Sequence, residues 1–248
     1  MMEHENADLN KKNPNVKLII ALGIILLLAI NMFFIYKLVN ISCENPHIED
    51  SDAVRFKKEY ESLNGALRND TDYYLEVSIN ENNPIVYASM DEIIDTLSNG
   101  TGIILFGFKE CPWCRNLIPN LVDVLNELGI EKVLYWNDQH IRDTLTIDDG
   151  IIVTEQEGTS EYYKLLELLG DNAHVYSGLN DPTIKRVYFP SIIYVKNGVV
   201  RALHQSTLDS QTDPYTPLTD EQREELKNTL KNEIGLVYPG KCSINEAC

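Results

Sequence analysis

The chain has 248 residues, 44% of them apolar, which is enough for one domain of ordinary size with its own core plus an appendage, and excludes a disordered polypeptide. A formal net charge of −17 with no basic stripe to offset it argues against a nucleic-acid partner, because an acidic surface repels phosphates. Five cysteines are too few to build a disulfide scaffold, so the fold must rest on its core and each thiol needs its own explanation.

In chain order, residues 1–17 are polar and contain Lys11, Lys12 and Lys17. Leu18 to Tyr36 follows as a 19-residue run whose only strongly polar member is Asn31. At 1.5 Å per residue this run can cross a bilayer, and residues 18–39 are expected to form a membrane anchor. A buried core helix fits less well, since the run is apolar on every face. A cleaved signal also fits less well, because the run exceeds a usual signal core and no Ala-x-Ala site follows. Lysines precede the run and only Lys37 follows it closely, so residues 1–17 are expected in the cytoplasm and the C-terminal part outside the cell. Cys43 raises the alternative of lipidation, but Asn40 occupies a position where a lipobox carries an aliphatic residue.

Residues 40–72 are charged and turn-rich and read as a stalk, with one short helix around Val54 to Leu63. The folded domain is expected over residues 73–235. Tyr73 to Ile79 alternates as a first strand, and Ile85 to Ala88 reads as a second beyond an Asn-Pro turn. Ser89 with Glu92 forms a capping box for a helix that ends before Asn99-Gly100. Ile103 to Phe108 is an apolar run suited to a strand covered on both sides.

That strand leads into Cys111-Pro112-Trp113-Cys114. Pro112 suits a first helical turn, where its missing N–H costs nothing. Leu117, Leu121, Leu125 and Leu128 carry the helix to Gly129, with Pro119 inside it as an expected kink. Two thiols at this spacing can close a small disulfide ring, and a helix N-terminus favours a thiolate on Cys111. Glu131 to Trp136 is a further strand, so β-α-β order surrounds the cysteines and a crossover sheet is implied. Residues 137–188 form an insertion with a helix at Glu161 to Leu169. Pro190 then precedes a strand Ile192 to Lys196, a two-residue Asn197-Gly198 hairpin and a returning strand Val199 to His204. Thr219 with Gln222 caps a last helix to about Ile234, and residues 236–248 form a tail holding Cys242 and Cys248.

The cysteine pair at the end of an apolar strand, Pro119 five residues after Cys114, and Phe189-Pro190-Ser191 before an Asn-Gly hairpin together resemble the thioredoxin superfamily over about Tyr73 to Gly235. The anchor, the stalk and Phe-Gly-Phe-Lys-Glu-Cys-Pro-Trp-Cys are also similar to membrane-tethered thioredoxin-like proteins of Gram-positive bacteria, including those called bacteriocin transport accessory proteins. The resemblance implies an α/β thioredoxin-like fold, a central mixed sheet flanked by helices, with a helical insertion and one preceding transmembrane helix. It implies that Cys111 attacks, that Cys114 resolves, and that Pro112, Trp113 and a cis Pro190 support the site while Phe189 offers backbone groups to an extended substrate. No cofactor beyond a redox-active Cys111–Cys114 disulfide is then needed. Exported cysteine-containing proteins are the implied partners, together with a membrane electron-transfer partner.

The chain departs from that family in one telling place. Many thioredoxins carry a buried acid six residues before the first cysteine, and here that position is Leu105. Lys109 and Glu110 are close in sequence, but their position gives neither a role. Half of a zinc site is the main chemical alternative for Cys111 and Cys114, with Cys242 and Cys248 as the other half at a wide spacing. A structural disulfide between Cys242 and Cys248 is the better-favoured reading of that second pair. A non-catalytic thioredoxin-like module for peptide export or immunity is the alternative function. Trp136 and the tyrosines read as core and edge residues, and His204 as a structural residue without an evident partner.

Overall fold

The computed structural model describes residues 14–43 and 50–241. The expected Cys242–Cys248 pairing and the first residues of the N-terminal segment lie outside them. The chain divides into two units, Met1–Glu49 and Asp50–Cys248.

The first unit holds one helix, α1 (Pro14–Cys43). Its stretch Leu18–Lys37 is long and apolar enough to cross a membrane, and its large side chains are exposed on all sides. The polar Asn31 amide turns back on its own helix and donates to the Leu27 carbonyl at 2.8 Å, which removes the cost of an unpaired amide in an apolar stretch.

The second unit is an α/β domain with a mixed central sheet flanked by helices. Five strands, β1 (Ile85–Tyr87), β2 (Gly102–Phe106), β3 (Val133–Trp136), β8 (Ser191–Lys196) and β9 (Val199–Gln205), lie in the order β1-β3-β2-β8-β9. The first three are parallel, joined through helices α3 (Met90–Asn99) and α4 (Pro112–Glu127), while β8 and β9 run antiparallel. Alternate strand residues feed two cores. Ile103, Leu105, Tyr135, Ile192 and Tyr194 face the core that contains α4 and α6 (Asp220–Val237), and Ile104, Phe106, Leu134, Ile193 and Val195 face the core that contains α3. The Ser89 and Thr219 capping boxes form as the sequence predicts. At the β8–β9 turn Asn197 and Gly198 both take positive φ, the geometry a tight two-residue hairpin needs.

Three expectations change. The compact domain begins at Asp50, so residues 50–72 are not a stalk. Helix α2 (Asp52–Glu61), capped by Ser51, drives Phe56 and Tyr60 into the core, each 0% exposed. Two aromatic anchors at positions i and i+4 on a charged helix were outweighed by that charge in the sequence reading.

The strand expected over Tyr73 to Ile79 does not form, and its only bridge is Leu67 to Tyr73. Val77 and Ile79 are nonetheless buried, and side chains satisfy their backbone in place of a neighbouring strand. The Asn64 amide takes both polar groups of Val77, at 2.7 and 3.0 Å. Glu61 accepts from the Ile79 N–H at 2.8 Å, and Lys57 donates to its carbonyl at 2.9 Å.

The region 137–188 is more than a helical addition. It carries the hairpin β4 (Thr144–Asp148) and β5 (Ile151–Gln156), the helix α5 (Ser160–Leu169), and the short pair β6 (His174–Val175) and β7 (Lys185–Arg186). Tyr162, Leu165 and Leu169 of α5 are buried in the core beside α3, so this segment closes the second face of the sheet.

Candidate functional site

The strand β2 ends at Phe106 and the chain reaches the N-terminus of α4 within five residues. Cys111 is the N-cap: its sulfur accepts from the Cys114 N–H at 3.3 Å, in place of the usual hydroxyl or carboxylate cap. Pro112 occupies the first helical turn, and α4 continues through Pro119 to Glu127. Both thiols are free, Cys111 at 4% exposure and Cys114 at 0%.

The two sulfurs sit in opposed environments. For Cys111, the hydrogen bond with the Cys114 thiol, the N–H groups of Cys114 and Trp113, and the Arg142 charge together outweigh burial and hold its pKa below the ordinary thiol value. For Cys114, burial and the neighbouring Cys111 push the pKa well up. The reduced pair therefore has one thiolate-prone sulfur at the rim and one protonated sulfur beneath it.

The Phe189–Pro190 peptide is cis, as expected, and the Phe189 carbonyl accepts from the Cys111 thiol at 3.5 Å. Pro190 is buried, and Ser191 behind it donates to the Tyr188 carbonyl at 2.6 Å. The Phe189 ring lies 5.6 Å from that of Phe106 and 6.0 Å from that of Phe108, with the Arg142 guanidinium 4.5 Å from its centre. Trp113 packs against the main core from a half-buried position. Cys111, Pro112, Trp113, Cys114, Phe189 and Pro190 thus meet in one place. Lys109 and Glu110 pair loosely with each other at 3.9 Å from partly exposed positions.

Five residues outside the sequence-based set contribute. Arg142, from the 137–188 segment, brings positive charge to Cys111. It is oriented by donating to Gln139 and to the Val187 carbonyl. Arg115, only 1% exposed, donates to the carbonyls of Leu75, Tyr60 and Lys109 and to Asn64, and so ties α2 and the segment after it to the start of α4. The Tyr60 hydroxyl and the Cys114 sulfur border the same space at Gly107, and Tyr135 lies behind Tyr60 with the two hydroxyls 3.3 Å apart. Gly107 makes room for this: a Cβ there would stand 3.1 Å from the Tyr60 hydroxyl and 3.3 Å from the Cys114 sulfur. The sequence offered only an arginine beside a cysteine and a glycine between phenylalanines as pointers.

Leu105, six residues before Cys111, is fully buried among apolar side chains. Among the described residues no group of three or more His, Cys, Asp and Glu side chains is arranged to hold a metal. His204 does have a partner, the Glu233 carboxylate at 3.2 Å. No protein-family model, curated protein or solved structure matches this chain.

Proposed function

We propose that this chain is a membrane-tethered thiol–disulfide oxidoreductase of thioredoxin-like architecture, acting outside the cytoplasm on exported cysteine-containing proteins. The observation that carries the reading is the split between the two thiols, Cys111 favouring the thiolate and Cys114 the thiol. Thiolate is the attacking species in disulfide exchange, so such a split assigns the order of events. The Cys111 thiolate attacks one sulfur of a substrate disulfide and the other sulfur leaves as a thiolate. Cys114 then loses its proton and attacks Cys111, which releases the second substrate sulfur and leaves a Cys111–Cys114 disulfide. Run backwards, the same steps oxidise a substrate dithiol, and the relative potentials of pair and partner set the direction.

The Phe189 carbonyl at the Cys111 sulfur supports a place beside the reactive thiol for an extended substrate backbone. The apolar helix Leu18–Lys37, with lysines before it, supports an anchor with the domain outside, where a membrane electron-transfer partner or re-oxidant would reset the pair.

Full-length protein in detergent should catalyse insulin reduction by dithiothreitol, and Cys111→Ser should abolish it. Equal turnover by the variant overturns the enzyme reading and leaves a displayed binding module.

A further inference from the structure

If Cys114 resolves a mixed disulfide, its proton must leave a sulfur that is 0% exposed, and the residue at Leu105 offers no acceptor. The structure supplies a different exit. Tyr60 on α2 faces the Cys114 sulfur across the gap at Gly107. Its hydroxyl is 3.3 Å from that of Tyr135 on β3, and the Tyr135 hydroxyl donates to Glu59 Oε1 at 3.0 Å. Glu59 is partly exposed, and its other oxygen is held by the Tyr87 hydroxyl and by the Asn137 amide at 3.1 Å. The chain of oxygens therefore runs from the buried sulfur to a carboxylate at the surface, fixed at both of its oxygens.

We propose that the proton of Cys114 leaves along this chain. The Cys114 S–H proton passes to Tyr60 Oη, the Tyr60 proton to Tyr135 Oη, and the Tyr135 proton to Glu59 Oε1, which exchanges it with water. Each tyrosine gives one proton as it receives one and neither becomes a phenolate. Burial raises the pKa of both well above the ordinary phenol, which disfavours a phenolate and favours concerted transfer. In the same step the Cys114–Cys111 S–S bond forms, the bond from Cys111 to the substrate sulfur breaks, and the substrate leaves as a thiolate with the bonding pair. The protein dithiol is oxidised and the substrate disulfide is reduced, with no further reactant. Tyr60 is the member of the chain that borders the same space at Gly107 as the reacting sulfur, and Tyr135 and Glu59 are positioning residues that act through it. The inference rests on the redox reading given above.

The test separates the two half-reactions in full-length protein in detergent, with Cys43, Cys242 and Cys248 replaced by Ser. With dithionitrobenzoate as the disulfide, attack by Cys111 releases one thionitrobenzoate, and resolution by Cys114 releases a second. Tyr60→Phe and Glu59→Gln are compared with the unchanged protein by the ratio of the second release rate to the first, which removes any change in the attack step. They should slow the second release by about 10²-fold, the scale of general acid–base assistance. Transfer to D₂O should slow the second release of the unchanged protein but not the first, and this isotope effect should shrink in both variants. A second release at the original rate in either variant overturns the relay while the redox reading stands. Absence of any Cys111-dependent first release in the unchanged protein overturns both.

Discussion

Cys111 and Cys114 stand three residues apart on one helical turn, yet their surroundings drive them in opposite directions. The rim sulfur is served locally, by the helix N-terminus and the Cys114 thiol, with added charge from Arg142 in the 137–188 segment. The inner sulfur is governed by burial and by Cys111, while Tyr60, which arrives from the helix nearest the N-terminal end of the domain, pulls the other way. A four-residue motif can supply a reactive pair. Burial of one sulfur and the hydrogen bond between the two set the asymmetry that orders its chemistry, and segments about fifty residues before it and about thirty after it in the sequence adjust it.

The comparison can be broken most severely on the inner side. A chain beginning at Tyr73 loses Phe56, Tyr60 and the side-chain partners of Val77 and Ile79. Removal of two buried aromatic side chains costs about 3–5 kcal/mol each, comparable with a whole domain's stability of about 5–15 kcal/mol. Such a chain should lack a cooperative urea transition by tryptophan fluorescence, whereas one retaining the anchor and residues 50–72 should show one. Arg115→Met is a smaller lesion. It leaves the acceptors on Leu75, Tyr60, Lys109 and Asn64 without their donor and should lower stability by about 2–4 kcal/mol, read as a lower urea midpoint.

On the outer side the effects are electrostatic. A depressed thiol pKa means that Cys111 stays ionised as the pH falls below the ordinary thiol value of about 8.5. Its iodoacetamide alkylation rate should therefore hold its plateau to lower pH than that of a free thiol, and decline only on passing the lowered pKa. Cys114→Ala removes the largest stabilising contact and should move the profile to higher pH, and Arg142→Gln should move it in the same direction by less. Profiles that coincide with the free thiol in all three proteins would deny the asymmetry.

Much of the scaffold was legible because it follows from local chemistry. The capping boxes at Ser89 and Thr219, the Asn197-Gly198 turn and the order of elements around the cysteines were all written in short stretches, whereas the cis Phe189–Pro190 peptide was expected from the resemblance alone. The strand expected over Tyr73 to Ile79 failed for a physical reason. Side chains of Asn64, Glu61 and Lys57 satisfy the backbone of Val77 and Ile79, and a pattern of alternation cannot distinguish that from a sheet ladder. At the site, the cysteines announced themselves by spacing, and the thioredoxin resemblance pointed to Trp113, Phe189 and Pro190. Tyr60, Glu59, Tyr135 and Arg142 did not, because each acts across a gap in sequence that only the folded chain closes.

The central claim is that Cys111 and Cys114 form one redox couple. Full-length protein equilibrated in graded dithiothreitol or glutathione buffers, trapped by alkylation and mapped by peptide mass, should show both thiols disappearing together. The account predicts a single two-electron transition, about 30 mV per tenfold change in the ratio, at a potential between the −270 mV of thioredoxin and the −120 mV of a strong oxidase. Independent titration of the two cysteines, or a pair that stays reduced across the whole range, would contradict it.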